Sequence, residues 1–135
     1  MKSSYADDIW YTAATLSDNA LLKDLHKEKI PGMDIYYELH SCTPFQASCY
    51  ENNEEAAKLF IKWGVDLDRK DGDGDTMLSY CFDTEKWSIV LEILKHKPSL
   101  EGINDFLITQ APKRIQKAFQ KVSGLKKLGK YADLL

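Results

Sequence analysis

The sequence predicts an all-α fold: a solenoid of stacked helix-turn-helix units, with short turn-tipped fingers between units and a helical cap at each end. Three observations carry this expectation. Thr43-Pro44-Phe45 and Thr76-Met77-Leu78 lie 33 residues apart. Gly64 and Lys97, each placed to close a helix, repeat the same 33-residue interval. So do the stretches that follow them, Val65-Asp66-Leu67-Asp68 and Pro98-Ser99-Leu100-Glu101. A period of this length marks units that bury a shared core by stacking on their neighbours.

The single domain, 1-135, divides into a capping unit (1-42), a central unit (43-75), a second unit (76-108) and a C-terminal helical cap (109-135). Residues 5 to 16 read as a first helix with Ile9, Trp10, Ala13 and Leu16 on one stripe. Ser17-Asp18-Asn19 offers a cap, and Leu21, Leu22 and Leu25 begin a second helix ending near Lys29. Gly32-Met33-Asp34-Ile35-Tyr36 then repeats the helix stop and arm, one residue closer to the next Thr than in the central unit.

The central unit states the pattern most clearly. Thr43 caps a short helix and Pro44 suits its first position, where a missing N–H costs nothing. Asn52-Asn53 end that helix and cap the next, whose start is favoured by Glu54 and Glu55. Ala56, Leu59, Phe60 and Trp63 recur at helical spacing, with Ala57 and Ile61 widening the apolar face. Gly64 supplies a left-handed stop, Val65 and Leu67 alternate with Asp66 and Asp68, and Asp71-Gly72-Asp73-Gly74 makes a turn.

The second unit is looser: Met77 takes the proline position and Lys97-Pro98 the glycine position, while Ile89, Val90, Ile93 and Leu94 keep one apolar face. Beyond Leu100 the pattern predicts a helix over Ile103 to Gln110 and another opened by Pro112, carrying Ile115, Ala118, Phe119 and Val122. Gly124 is expected to break it, leaving Leu125, Leu128 and Leu134 to a short final helix.

This order of helix, helix and finger resembles the ankyrin repeat, with its Thr-Pro-Leu-His opening and its Gly-Ala-Asp arm. The resemblance implies an ankyrin-like solenoid that binds a protein partner along a concave surface of finger tips and first helices. It places recognition at Lys70, Asp73 and Asp75 on the finger, at Tyr50 and Glu51 after the first helix, and at Asp83 and Thr84 in the next unit. Glu38, Leu39 and His40 occupy the preceding finger. Independently, Trp87 and Tyr50 are candidate aromatic anchors, because exposed Trp and Tyr dominate interface energies. Trp63, just before a helix stop, reads as packing.

Composition narrows the function. Hydrophobic residues at 44% can fill a core, and the net charge of −3 argues against a general nucleic-acid binder while suiting a basic protein partner. The polar, acidic Met1 to Asp8 segment is not a secretory signal, and no apolar run reaches the roughly 20 residues of a membrane span. A cytoplasmic protein, monomeric when free, is expected. Cys42, Cys49 and Cys81 are odd in number and lack metal spacing, so they read as buried thiols of a reducing compartment.

No cofactor, metal or catalytic group is called for. Counting an EF-hand loop from Asp71 puts Thr76 at the glycine position and Phe82 at the glutamate position, so the calcium reading fails. His26, His40 and His96 have no nucleophile or second ligand at local spacing. Lys113, Arg114, Lys117, Lys121, Lys126, Lys127 and Lys130 give the tail a basic face: a solvated surface, or a patch for nucleic acid or anionic lipid. Small acidic ankyrin-like proteins include bacterial immunity proteins, so the leading expectation is a stoichiometric inhibitor of a toxin. The competing binder is an adaptor or a secreted effector acting on a host or regulatory protein.

Overall fold

Thr43 and Thr76 begin their helices with extended backbone, and each hydroxyl accepts the backbone N–H three residues on, from Gln46 and Ser79, at 3.2 Å. Gln46 closes the first cap reciprocally, its Oε1 accepting the Thr43 N–H at 2.9 Å. The computed structural model describes the backbone of residues 5–130 and the side chains of residues 9–124. Its helices are α1 (Tyr5–Thr15), α2 (Asn19–Lys27), α3 (Pro44–Tyr50), α4 (Glu54–Lys62), α5 (Met77–Asp83), α6 (Trp87–Leu94), α7 (Asp105–Gln110) and α8 (Lys113–Lys130). The described residues hold no strand, only an isolated bridge between Tyr37 and Cys42. The fold is all-α.

What reverses the chain between helices is a residue forced into the left-handed region. After α1, α3 and α5 these are Ser17 (φ 59°), Asn52 (φ 56°) and Glu85 (φ 60°). The next N–H then reaches back to the carbonyl five residues earlier: Asp18 to Ala13 at 3.1 Å, Asn53 to Ser48 at 2.8 Å, Lys86 to Cys81 at 2.8 Å. Lys29 (φ 55°) and Gly64 (φ 87°) stop α2 and α4 in the same way, with Ile30 donating to Leu25 and Val65 to Phe60. Lys97 (φ 50°) takes the matching place after α6. Asn52 and Glu85, like Gly64 and Lys97, keep the 33-residue interval.

The second helix ends near Lys29 as expected, with Lys29 as its left-handed stop 14 residues before Thr43, against 12 from Gly64 to Thr76, while Gly32 lies in the arm that follows. One expectation is corrected here. Gly124 does not break its helix, since α8 continues to Lys130. A helical glycine costs only about 1 kcal/mol against alanine, less than the neighbouring turns anchored by buried Phe119 and Val122 can carry. The separate final helix is thus absent as far as Lys130, and Leu134 lies outside the described residues.

Helices α1, α3 and α5 pack side by side, and α2, α4, α6 and α8 form a second row behind them. The core fills the space between rows in repeat register. Ala56, Ala57, Phe60 and Ile61 of α4 are buried, and so are Ile89, Val90, Ile93 and Leu94, their counterparts on α6. Trp10 anchors the N-terminal end, its Nε1 shared between the carbonyls of Ile30 (3.1 Å) and Pro31 (3.0 Å) and its ring 6.2 Å from Phe60. Leu16, expected on the α1 stripe, is instead 72% exposed, because α1 ends at Thr15. Buried Asn53 ties the units together: its Oδ1 caps α4 at the Ala56 N–H while its Nδ2 donates to the Ala14 carbonyl at 2.9 Å. Cys42, Cys49 and Cys81 are buried free thiols. No helix among the described residues is long and apolar enough to cross a membrane.

The left-handed stops make a reciprocal prediction. A non-glycine residue in this region costs roughly 1–2 kcal/mol, partly offset by glycine's greater freedom when unfolded. Gly64→Ala should lower stability by about 1 kcal/mol through backbone strain alone, since a Cβ there would meet nothing within 4 Å. Lys97→Gly should raise it by about 0.5–1 kcal/mol. Urea melts of the two variants check the pair, and opposite shifts from those stated would show that these positions are not equivalent.

Candidate functional site

The finger of the central unit is built on one carboxylate. Asp71 is 8% exposed, and its Oδ1 accepts the backbone N–H of Asp73 at 2.9 Å and of Asp75 at 3.0 Å. Its own N–H donates to the Asp75 carbonyl at 2.9 Å, and Gly74 (φ 85°) lets the chain turn. The remaining oxygen, Oδ2, accepts a short hydrogen bond from the Tyr50 hydroxyl at the end of α3. Both oxygens are thus committed inward. The acidic run therefore splits into one buried structural residue and two exposed ones, Asp73 and Asp75, whose side chains face water.

Tyr50 is half-buried and packs edge-on against Tyr80 of α5, with ring centroids 4.9 Å apart at 84°. The Lys86 ammonium lies 5.8 Å from the Tyr80 centroid. On the other side Tyr11 of α1 stacks on His40 of the first finger, 3.7 Å between centroids and 4° from parallel. Glu51, next in the chain after Tyr50, is exposed. Burial first, and then neighbouring charges including Glu51, pushes the Tyr11 and Tyr80 hydroxyls above the ordinary tyrosine value. For Tyr50, burial leads and the bond to Asp71 adds to it, with Asp73 contributing a further push. Burial, reinforced by the Asp71 charge, holds the nearby Cys42 thiol up at about 11.

The expected recognition residues fare unevenly. Tyr50, Glu51, Asp73 and Asp75 gather at the end of α3 and the adjoining finger. Lys70 is exposed but engaged, its Nζ 2.7 Å from Glu101 Oε2. With the Ser99 N–H bonding Asp68 Oδ1 at 2.8 Å, that pair fastens one arm to the next. The preceding arms are joined by Arg69, which lies 5.5 Å over the Tyr36 ring and donates to the Asp34 carbonyl. Asp83 is exposed, whereas the Thr84 hydroxyl donates to the Tyr80 carbonyl at 2.8 Å. Trp87 is half-buried and sits edge-on to Phe82 at 5.3 Å, so packing already engages this proposed anchor. Trp63 packs as expected, against Trp10, Phe60 and a stacked His26. Leu39, at the tip of the first finger, is 87% exposed.

Sequence reading missed Tyr11 and Tyr80. Each neighbours residues that are buried, Ala13 and Ala14 on α1 and Cys81 and Phe82 on α5, and this helical phase was the available signal. No protein-family model matches the chain, and no curated protein matches it.

The raised thiol and phenol values carry a sign. In the unfolded chain Cys42 ionises near 9.0 and Tyr50 near 10.0, while both stay neutral to higher pH when folded. Their stabilisation is complete below the unfolded values and falls as pH rises past them. The melting temperature should therefore hold to about pH 8.5 and decline steadily toward pH 11. Tyr50→Phe should cost about 1–3 kcal/mol at neutral pH, by leaving Asp71 short of a donor, and should make the alkaline decline shallower. Thermal melts across that range check both statements; a flat profile in the parent protein contradicts the first.

Proposed function

We propose that the chain is an ankyrin-type solenoid whose finger turns and first-row helices bind another protein, and that it acts as a stoichiometric inhibitor, an immunity protein covering a basic toxin domain. One observation carries this reading: helix stops, caps and buried positions recur at a single 33-residue interval from the central unit into the next. Such a recurrence supports the arrangement the ankyrin resemblance implies, with finger tips and first helices side by side on one face. Glu51, Asp73, Asp75 and Asp83 are exposed there, and no ion pair engages them among the described residues. That field suits a positively charged partner. Binding without catalysis in the cytoplasm, by a protein monomeric when free, follows from the same reading.

Charge reversal separates recognition from stability. Asp73 and Asp75 give the turn only backbone groups, so Asp73→Lys with Asp75→Lys should shift stability by no more than about 0.5 kcal/mol. It should nevertheless weaken and slow partner binding, most visibly at low salt. Gly74→Ala is the contrast: at φ 85° it should cost about 1 kcal/mol through backbone strain. The partner assay is growth rescue when the chain is co-expressed with the product of the gene beside its own. Rescue by the parent chain that is lost in the double lysine variant fits the proposal. Full rescue by that variant moves recognition off the finger, and the absence of rescue removes the immunity role.

A further inference from the structure

A cleft of about 340 Å³ opens to solvent between α6 and α8, two helices of the second row. Its floor is apolar, with Leu91 and Leu94 on one helix and Ala118 and Val122 on the other. Leu94 and Val122 are buried, whereas Leu91 and Ala118 are half-buried. Side-chain size makes the cleft. Ile115 and Phe119 bury the core stripe of α8, but Ala118 beside them has only a methyl group to offer its neighbours. Lysines line the same cleft: Lys95 and Lys97 just beyond α6, and Lys121 on α8. Lys95 is held by Glu92, its Nζ 3.0 Å from Oε1. Lys97 and Lys121 are exposed, and no ion pair engages either of them among the described residues. A lysine stem lies along apolar surface while its charge stays in water, so an apolar floor and a cationic rim coexist here.

We propose that this cleft binds a single-chain anionic amphiphile, a fatty acid whose alkyl chain lies on the apolar floor and whose carboxylate meets Lys97 and Lys121. The volume falls within the range of small-ligand sites, which combine mostly apolar walls with a few placed charges. Each methylene that leaves water for the floor favours binding, and the two unpaired ammonium groups select the sign of the head. A cationic head on the same chain is repelled. A protein backbone would bring polar groups onto a floor with nothing to satisfy them, which an alkyl chain does not. The site shares no residue with the finger surface and stands or falls independently of it.

Calorimetric titration of the full chain tests this with dodecanoate, octanoate and dodecyltrimethylammonium, each below its micelle-forming concentration. Dodecanoate should bind about tenfold or more tightly than octanoate, and the cationic amphiphile should not bind. Lys97→Gln with Lys121→Gln, both at exposed positions, should weaken dodecanoate about fivefold. Ala118→Phe fills the floor and should abolish binding, and the double glutamine variant keeps the test decisive should the phenylalanine variant unfold. No dodecanoate binding by the parent chain overturns the proposal, and is the result expected if a protein segment is the true occupant. Equal binding of the two long-chain amphiphiles, or unchanged dodecanoate binding in the glutamine variant, overturns it by showing adsorption without a site for the head.

Discussion

Everything in this fold depends on stopping short helices at the right residue. Helices of seven to nine residues, such as α3 (7) and α4 (9), are too short to persist in water alone. They survive because each ends in a left-handed residue that turns the chain back and presses its apolar face against a partner. Five of these positions are not glycine: Ser17, Lys29, Asn52, Glu85 and Lys97. Such a conformation costs roughly 1–2 kcal/mol for a side-chain-bearing residue. It persists only where the surroundings over-determine it. At Asn52 and Glu85 they do, since the reaching-back hydrogen bond is 2.8 Å in both cases and the next helix buries Ala56 and Ala57, or Ile89 and Val90, within its first turn. Packing thus holds the turn, and the turn makes the packing possible.

The second organising group is Asp71. A buried carboxylate without partners is costly, and this one is satisfied by two backbone amides and a phenol. Its bonds join the finger to the end of α3 and fix the orientation of Tyr50. A neutral residue at this place would free both the turn and the ring. The finger and the aromatic cluster are therefore one unit mechanically, although they are 21 residues apart in the chain.

The sequence revealed what is local. Thr43, Thr76 and Asn53 announce caps because one hydroxyl or amide suffices to satisfy an exposed N–H, and their spacing carried the repeat. Ala56, Phe60, Ile89 and Ile93 announced their burial by helical phase. What stayed hidden was conformational or nonlocal. The end of α2 near Lys29 was legible, but not that Lys29 itself takes the left-handed conformation, since no glycine advertises it. Gly124 looked like a breaker because glycine disfavours helix, yet helical neighbours on both sides outweighed that preference. Among the candidate site residues, Tyr50, Glu51, Asp73 and Asp75 were legible from their positions in the unit. Lys70 and Trp87 looked equally free, and only the packed arms and the Phe82 contact show that both are already engaged. Tyr11 and Tyr80 carried only a helical-phase signal, and their contacts with His40 and Tyr50 come from the packing of neighbouring elements.

Charge along the stack gives the surface a direction. The net value of −3 conceals a division, with exposed Glu51, Asp73, Asp75 and Asp83 around the fingers and exposed Lys113, Arg114, Lys117 and Lys121 on α8. At physiological ionic strength fields decay over about 8 Å, so each region acts on its own vicinity rather than cancelling the other. A basic body approaching the fingers would be drawn in, whereas the same body approaching α8 would be repelled. Steering of this kind raises association rates more than final affinity. Affinity in an interface comes from desolvated, rigid contacts, and on the proposed face Tyr50, held by its bond to Asp71, is the aromatic group placed to make one. Under the proposed binding of a basic protein, the carboxylates would select the approach and the Tyr50 ring would determine how long the encounter lasts.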